Sequence, residues 1–170
     1  VDAQVGRVLA ALDRVDPRRE TIVVVWSDHG FLLGEHEIWG KHCLYENALR
    51  SPLLIRAPEV RQPGATTAAT VETVDVFPTL ADLCGLPLPA TLDGATLRPF
   101  LERPGAAARK PARGFWTNGQ RTVRNDRWRL IAAPGPASDG TPQWELFDYE
   151  NDPGETRNHA ATHSAIARAL

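Results

Sequence analysis

Residues Ile22 to Trp26 of this 170-residue chain form an unbroken apolar run, IVVVW, with three valines at its centre. A run with no polar alternation is how a strand covered on both faces of a parallel sheet reads, rather than one wetted on one side. Immediately after it come Ser27, Asp28, His29 and Gly30. Open α/β sheets collect their ligands at the carboxyl ends of their strands. A buried strand that delivers a carboxylate and an imidazole to such a loop is a setting for metal or catalytic chemistry.

The surroundings of that strand predict an α/β region over residues 1–105 and a smaller unit over 106–170. Val5, Val8, Leu9 and Leu12 lie on one stripe of a helix that is already under way at the first residue. Pro52 to Arg56 (PLLIR) reads as a second central strand, after a long loop from Asp28 to Arg50. Arg61 to Thr67, with Pro63 and Gly64, reads as a turn. Val71 to Leu83 follows as a helix, with Pro78 in its first turn and Gly85 as its stop. Leu86 to Pro104 is proline-punctuated connection, and Pro104 to Pro111 a linker. Thereafter the period changes. Gly114 to Thr117, the hairpin signal Asn118-Gly119, Arg127 to Ala132, and Trp144 to Tyr149 predict a small antiparallel sheet. A Pro/Gly/Ser loop spans Ala133 to Pro142, Asn151 to Gly154 is a tight turn, and a helix is expected from about His159.

Composition narrows the function classes. The net charge is −2, with only Lys41 and Lys110 as lysines, which gives no reason to expect nucleic acid or an anionic membrane as the main partner. No apolar run approaches a membrane span and no signal-peptide pattern opens the chain. Cys43 and Cys84 stand far apart without CxxC spacing, so neither a zinc cluster nor a redox motif is indicated. There is no methionine, the first helix lacks a cap residue, and a doubly buried strand needs more neighbours than PLLIR supplies. The expectation is the C-terminal part of a larger protein, with a processed mature chain as the alternative. Compartment and oligomeric state stay open.

Four pieces, in order, carry a family resemblance. They are the strand with SDHG and Gly34-Glu35-His36, Trp39, Lys41 and Pro52-Leu53-Leu54-Ile55; the segment Asp75 to Leu80 (DVFPTL); Leu83-Cys84-Gly85-Leu86-Pro87; and Glu145 to Glu155 (ELFDYENDPGE). Together they resemble the C-terminal part of the sulfatase family, in the alkaline-phosphatase-like superfamily, nearest the iduronate-2-sulfatase and choline sulfatase branch. The resemblance implies an alkaline-phosphatase-like sandwich with a mainly parallel sheet, plus a small antiparallel subdomain with a C-terminal helix. It implies hydrolysis of a sulfate ester of a small molecule or sugar. It also implies a divalent cation, calcium by family precedent, beside a formylglycine made from the Cys or Ser of a C/S-x-P-x-R motif.

By that resemblance Asp28 and His29 are metal ligands, and Lys41 reaches the sulfate or the leaving-group oxygen. Asp28 is a suitable hard oxygen ligand. His29 suits manganese or zinc better than calcium, so ligand chemistry leaves the metal open. A compact ammonium with three donors suits an ester whose charge shifts towards the bridging oxygen. His36 is a second candidate contact to substrate. Gly30 is expected to let the backbone turn sharply enough for two consecutive side chains to converge.

Other readings of these residues carry less. Adjacent Ser27, Asp28 and His29 cannot easily form a nucleophile–base–orienter chain, and the spacing of His29, His36 and His42 fits no standard zinc pattern. Trp116, Trp128 and Trp144 read as core, His159 and His163 as tail surface. Neither Cys84 nor Cys43 is followed by the proline and arginine of the formylglycine motif. That motif, the other ligands and the remaining substrate contacts are expected upstream of Val1, so the 170 residues alone are expected to be inactive. The alternatives are a phosphonate monoester or phosphodiester hydrolase of the same superfamily, or a non-catalytic sulfatase-like module.

Overall fold

The computed structural model describes every residue from Val1 to Leu170 except Glu59, Arg61 and Arg109. The stripe near the start folds as α1 (Asp2–Val15), with Asp2 in its first turn and Arg14 in its last, each matching the helix dipole. Asp16 ends it. Its carboxylate accepts the backbone N–H groups of Glu20 and Thr21 at 3.1 and 2.8 Å, turning the chain into β1 (Val23–Trp26).

β1 pairs with β4 (Leu53–Arg56), Val23 opposite Arg56 and Trp26 opposite Leu53. The pairing is antiparallel, which corrects one expectation: every strand pair among the described residues is antiparallel. Nor is β1 doubly covered here, since Val25 and Trp26 are 40% and 45% exposed. An apolar run records that a strand is to be buried, not the direction of its neighbour. The α/β class itself holds, as helices interspersed with small antiparallel sheets.

The expected long loop carries structure of its own. A two-residue hairpin, β2 (Leu32–Leu33) with β3 (Trp39–Gly40), closes over a 3-10 turn at Glu35–Glu37, and α2 (Glu46–Leu49) follows. Leu32, Cys43 and Ala48 form a small buried cluster beneath it. After β4, a capping box between Glu72 and Asp75 closes a 3-10 turn, Thr73–Asp75, that leads into α3 (Val76–Leu83), later than Val71. Gly85 stops the helix at φ +64°. The connection expected from Leu86 to Pro104 contains α4 (Arg98–Glu102), with Pro99 in its opening turn. The Arg61 end of the expected turn lies outside the described residues, while Gly64 turns with φ +81°.

The second region is a meander in the order β5 (Ala112–Phe115), β6 (Arg121–Arg124), β7 (Trp128–Pro136), β8 (Pro142–Asp148). Asn118-Gly119 makes the first hairpin turn, Gly119 at φ +89°. β7 and β8 run into the segment expected as loop, with a register shift between Ala132 and Pro136. Alternation along β7 divides its side chains between two layers. Trp128 and Leu130 join Leu146 and Ala167 of α5 (Ser164–Ala169) on one face. Ile131 and Phe147 pack with Leu44 on the other, so this face supports the segment that follows Lys41. His159 and His163 are not simple tail surface, since both rings pack on Trp128, with centroids 6.3 and 5.4 Å away.

Candidate active site

The turn after β1 is held by backbone on three sides. Ser27 donates its N–H to the Pro52 carbonyl at 3.1 Å and its hydroxyl to the His29 carbonyl at 2.8 Å. Gly30 donates to the Ala48 carbonyl at 2.7 Å. A Cβ at Gly30 would lie 2.0 Å from the Asn47 carbonyl oxygen. The glycine is therefore required by close approach of α2 and not, as expected, by a sharp turn: it is absent from the positive-φ glycines.

On that turn the two predicted ligands meet. His29 Nε2 lies 3.3 Å from Asp28 Oδ2. The His29 ring has only one consistent neutral tautomer. Its Nδ1 faces the Gly30 carbonyl at 2.7 Å, and a carbonyl only accepts, so Nδ1 carries the hydrogen. Its Nε2 faces the Lys41 ammonium, which has no lone pair to offer, so Nε2 must accept. The Gly30 contact thus fixes the ring with its Nε2 lone pair turned towards Lys41, and an Nδ1–H tied to a backbone carbonyl is the arrangement an Nε2 metal ligand uses. Lys41 arrives from just after β3, twelve residues on, and completes a trio of carboxylate, imidazole and ammonium. Asp28 is largely exposed and His29 about one third so.

His36 is placed differently. It makes no hydrogen bond to the trio and lies flat on Tyr45, ring centroids 3.9 Å apart and planes within 2°. It and Glu37 sit at φ +54° and +59°, a left-handed backbone that ordinary residues adopt only when the surroundings impose it. The Tyr45 hydroxyl donates to Glu145 of β8 at 3.2 Å. Burial, and the Glu145 carboxylate beside it, push the Tyr45 phenol up to about 12, so it stays a neutral donor. Cys43 is a free, buried thiol raised by burial. Beside Lys41 a surface hollow of about 240 Å³ is lined by Phe31, Ile38, Trp39, Gly40 and His42.

A buried polar cluster against the segment that follows Lys41 escaped sequence reasoning. Arg129, on β7, is buried with a side-chain exposure of 4%. It donates to Glu46 and to the Tyr149 hydroxyl at 2.9 Å, and it pairs with the Glu155 carboxylate at 2.8 Å. The signal was present: an arginine between Leu130 and Trp128 in an aliphatic strand needs carboxylate partners if it is buried. Burial pulls its pKa down, but Tyr149, Glu155 and Glu46 more than offset this, and the net direction is upward.

Residues 34–168 match the sequence model of the family described as N-sulphoglucosamine sulphohydrolase, C-terminal. The chain belongs to this sulfatase family. An N-acetylglucosamine-6-O-sulfatase of Bacteroides thetaiotaomicron is 34% identical over 169 residues, covering 93% of this chain and 30% of the relative. A protein solved in complex with its substrate D-glucosamine-2-N,6-O-disulfate superposes with a TM-score of 0.85 at 32% identity, over 99% of this chain and 35% of that one. The phosphonate monoester hydrolase of Agrobacterium radiobacter superposes with a TM-score of 0.81 at 27% identity, over 99% and 37%. The sulfatase chain thus spans about a third of the length of the proteins it matches. The narrower iduronate-2-sulfatase and choline sulfatase placement rests on the sequence motifs alone.

As donors for a cation, Asp28 and His29 fit in kind and in spacing. An anionic oxygen and an imidazole lone pair 3.3 Å apart can address one ion. They are two donors and no more: no group of three or more His, Cys, Asp or Glu suited to a metal occurs among the described residues.

Proposed function

We propose that this chain belongs to a sulfuric-ester hydrolase acting on a sulfated sugar, to whose active site it supplies Asp28, His29 and Lys41. The observation that carries the reading is the convergence of those three side chains, in a sulfatase-family sequence, with His29 Nδ1 tied to the Gly30 carbonyl. Asp28 and His29 would hold a divalent cation, calcium by family precedent, with manganese or zinc as the alternatives that an imidazole ligand favours. When bound, such a cation polarises a sulfate oxygen. With the Nε2 lone pair committed to a cation, Lys41 is left with three donors for the anionic ester and its developing charge. The sugar reading is supported by the 6-O-sulfatase relative and by the neighbour solved with a disulfated glucosamine.

The chain contains no C/S-x-P-x-R motif; a formylglycine nucleophile would come from sequence upstream, and the 170 residues alone are expected to show no turnover. The phosphonate monoester hydrolase likeness defines the second reading. Initial rates on 4-nitrophenyl sulfate and on a phenyl phosphonate, measured with the full-length protein, separate the two. Preference for the sulfate supports the proposal. Preference for the phosphonate, or no metal-dependent turnover of either, overturns it.

A further inference from the structure

The trio stands on a short stretch of chain that is itself gripped from the opposite sheet. Between Lys41 and the carbonyl that receives Gly30 lie Leu44, Tyr45 and Glu46, and buried Arg129 touches this stretch twice. Its guanidinium donates to the Leu44 carbonyl at 3.4 Å and to the Glu46 carboxylate. Glu155, with a side-chain exposure of 1%, pairs with the Arg129 guanidinium at 2.8 Å through one oxygen and accepts from the Glu46 backbone N–H at 2.7 Å with the other. The Tyr149 hydroxyl lies against Arg129, Glu46 and Glu155 together. Arg124 covers the Tyr149 ring at 4.1 Å and pairs with Glu46 at 3.5 Å.

From this geometry we infer that Arg129, Glu155 and Tyr149 are positioning residues for the active site. They fix the first turn of α2, and α2 in turn fixes the Gly30 amide and the Asp28–His29 pair. A network this desolvated is directional. A planar guanidinium with several fixed donors holds its partners in one geometry, where an apolar core of equal volume would let α2 slide. Burying the ions is costly unless every partner is present. Fold stability alone is therefore a weak reason for a buried Arg between two glutamates, and registering one segment against another is the better-attested use. The inference rests on the proposed role of Asp28, His29 and Lys41 for its catalytic consequence, but not for its geometric one.

Two variants, Arg129→Lys and Tyr149→Phe, test it in the full-length protein at a temperature where both stay folded. The primary readout is amide hydrogen exchange. The expected result is at least 10-fold faster exchange at Gly30 while the β7–β8 amides at Leu130 and Leu146 keep their wild-type rates. Calorimetric affinity for the added divalent metal is expected to weaken about 10-fold, and kcat to fall more than KM rises. Uniform acceleration across Gly30, Leu130 and Leu146, or unchanged exchange at Gly30, overturns the inference. If Gly30 responds as expected but neither wild-type nor variant binds metal, the clamp stands and the proposed active-site reading fails instead.

Discussion

Gly30→Ala sets two opposing effects against each other at one methyl group. Its backbone is not among the left-handed glycines, so alanine can adopt the conformation. On that count alone the substitution would stabilise by about 0.4–1 kcal/mol, by restricting the unfolded chain. Against this, the new Cβ would lie 2.0 Å from the Asn47 carbonyl oxygen and 3.0 Å from its carbon. Both obstacles are backbone, so no side chain can rotate aside, and α2 must retreat by about 1 Å to restore ordinary contact. Overpacking of this kind costs about 1–3 kcal/mol, and losing the 2.7 Å bond from Gly30 to Ala48 costs about 1 kcal/mol more. The balance is a net loss of about 1–3.5 kcal/mol. Urea unfolding followed by tryptophan fluorescence measures it, with Gly6→Ala as the control. Gly6 lies within α1, with nothing within 4 Å of an added methyl, and alanine there should stabilise by up to about 1 kcal/mol. A displacement of about 1 Å beside reacting groups can cost on the order of 100-fold in rate, so Gly30→Ala should also lose activity beyond its loss of folded protein. If Gly30→Ala is as stable as wild type, the close approach of α2 to the turn is wrong.

Three further outcomes are expected. Arg127 donates to both oxygens of Asp148 at 2.9 Å; this pairing, chiefly, holds the Asp148 carboxyl well below the usual carboxylate range. A depressed folded pKa contributes stability above the unfolded value near 4, and that stability is lost as pH falls through the folded one. Arg127→Ala should therefore destabilise at pH 7, with the difference from wild type narrowing below about pH 4 in pH-dependent urea unfolding. His36→Ala removes the stack on Tyr45 and should slow turnover by a few-fold through the hairpin that carries Lys41, whereas Tyr45→Phe keeps the stack and should be milder; steady-state kinetics rank them. Lys41→Ala should lower kcat by about 100-fold or more, the scale of one lost transition-state charge contact.

How much of this was legible in the sequence depended on what each residue had to satisfy. Asp28, His29 and Lys41 were readable because their residue types and order belong to a motif, and the structure brings the three together. Gly85 and Asn118-Gly119 were readable because local backbone geometry dictates them. The direction of the β1–β4 pairing was not, because an apolar run is the same for either neighbour. β7 extended past Ala132 although prolines and glycines marked a loop, since the ladder with β8 resumes at Pro136 opposite Pro142. Gly30 was singled out for the wrong reason: its constraint comes from α2, which is distant in sequence. The clamp around Arg129 joins residues 83 and 26 positions apart, Glu46 and Glu155, and only the folded sheet shows that they share one guanidinium.

Asp28 and His29, on this reading, form one half of a cation site that Lys41 serves without belonging to it. Calorimetric titration of the metal-free full-length protein with calcium and with manganese, in wild type, Asp28→Asn and Lys41→Ala, tests that division most directly. Asp28→Asn is expected to weaken binding at least 10-fold, while Lys41→Ala leaves it within a few-fold of wild type. Equal binding by wild type and Asp28→Asn would contradict it.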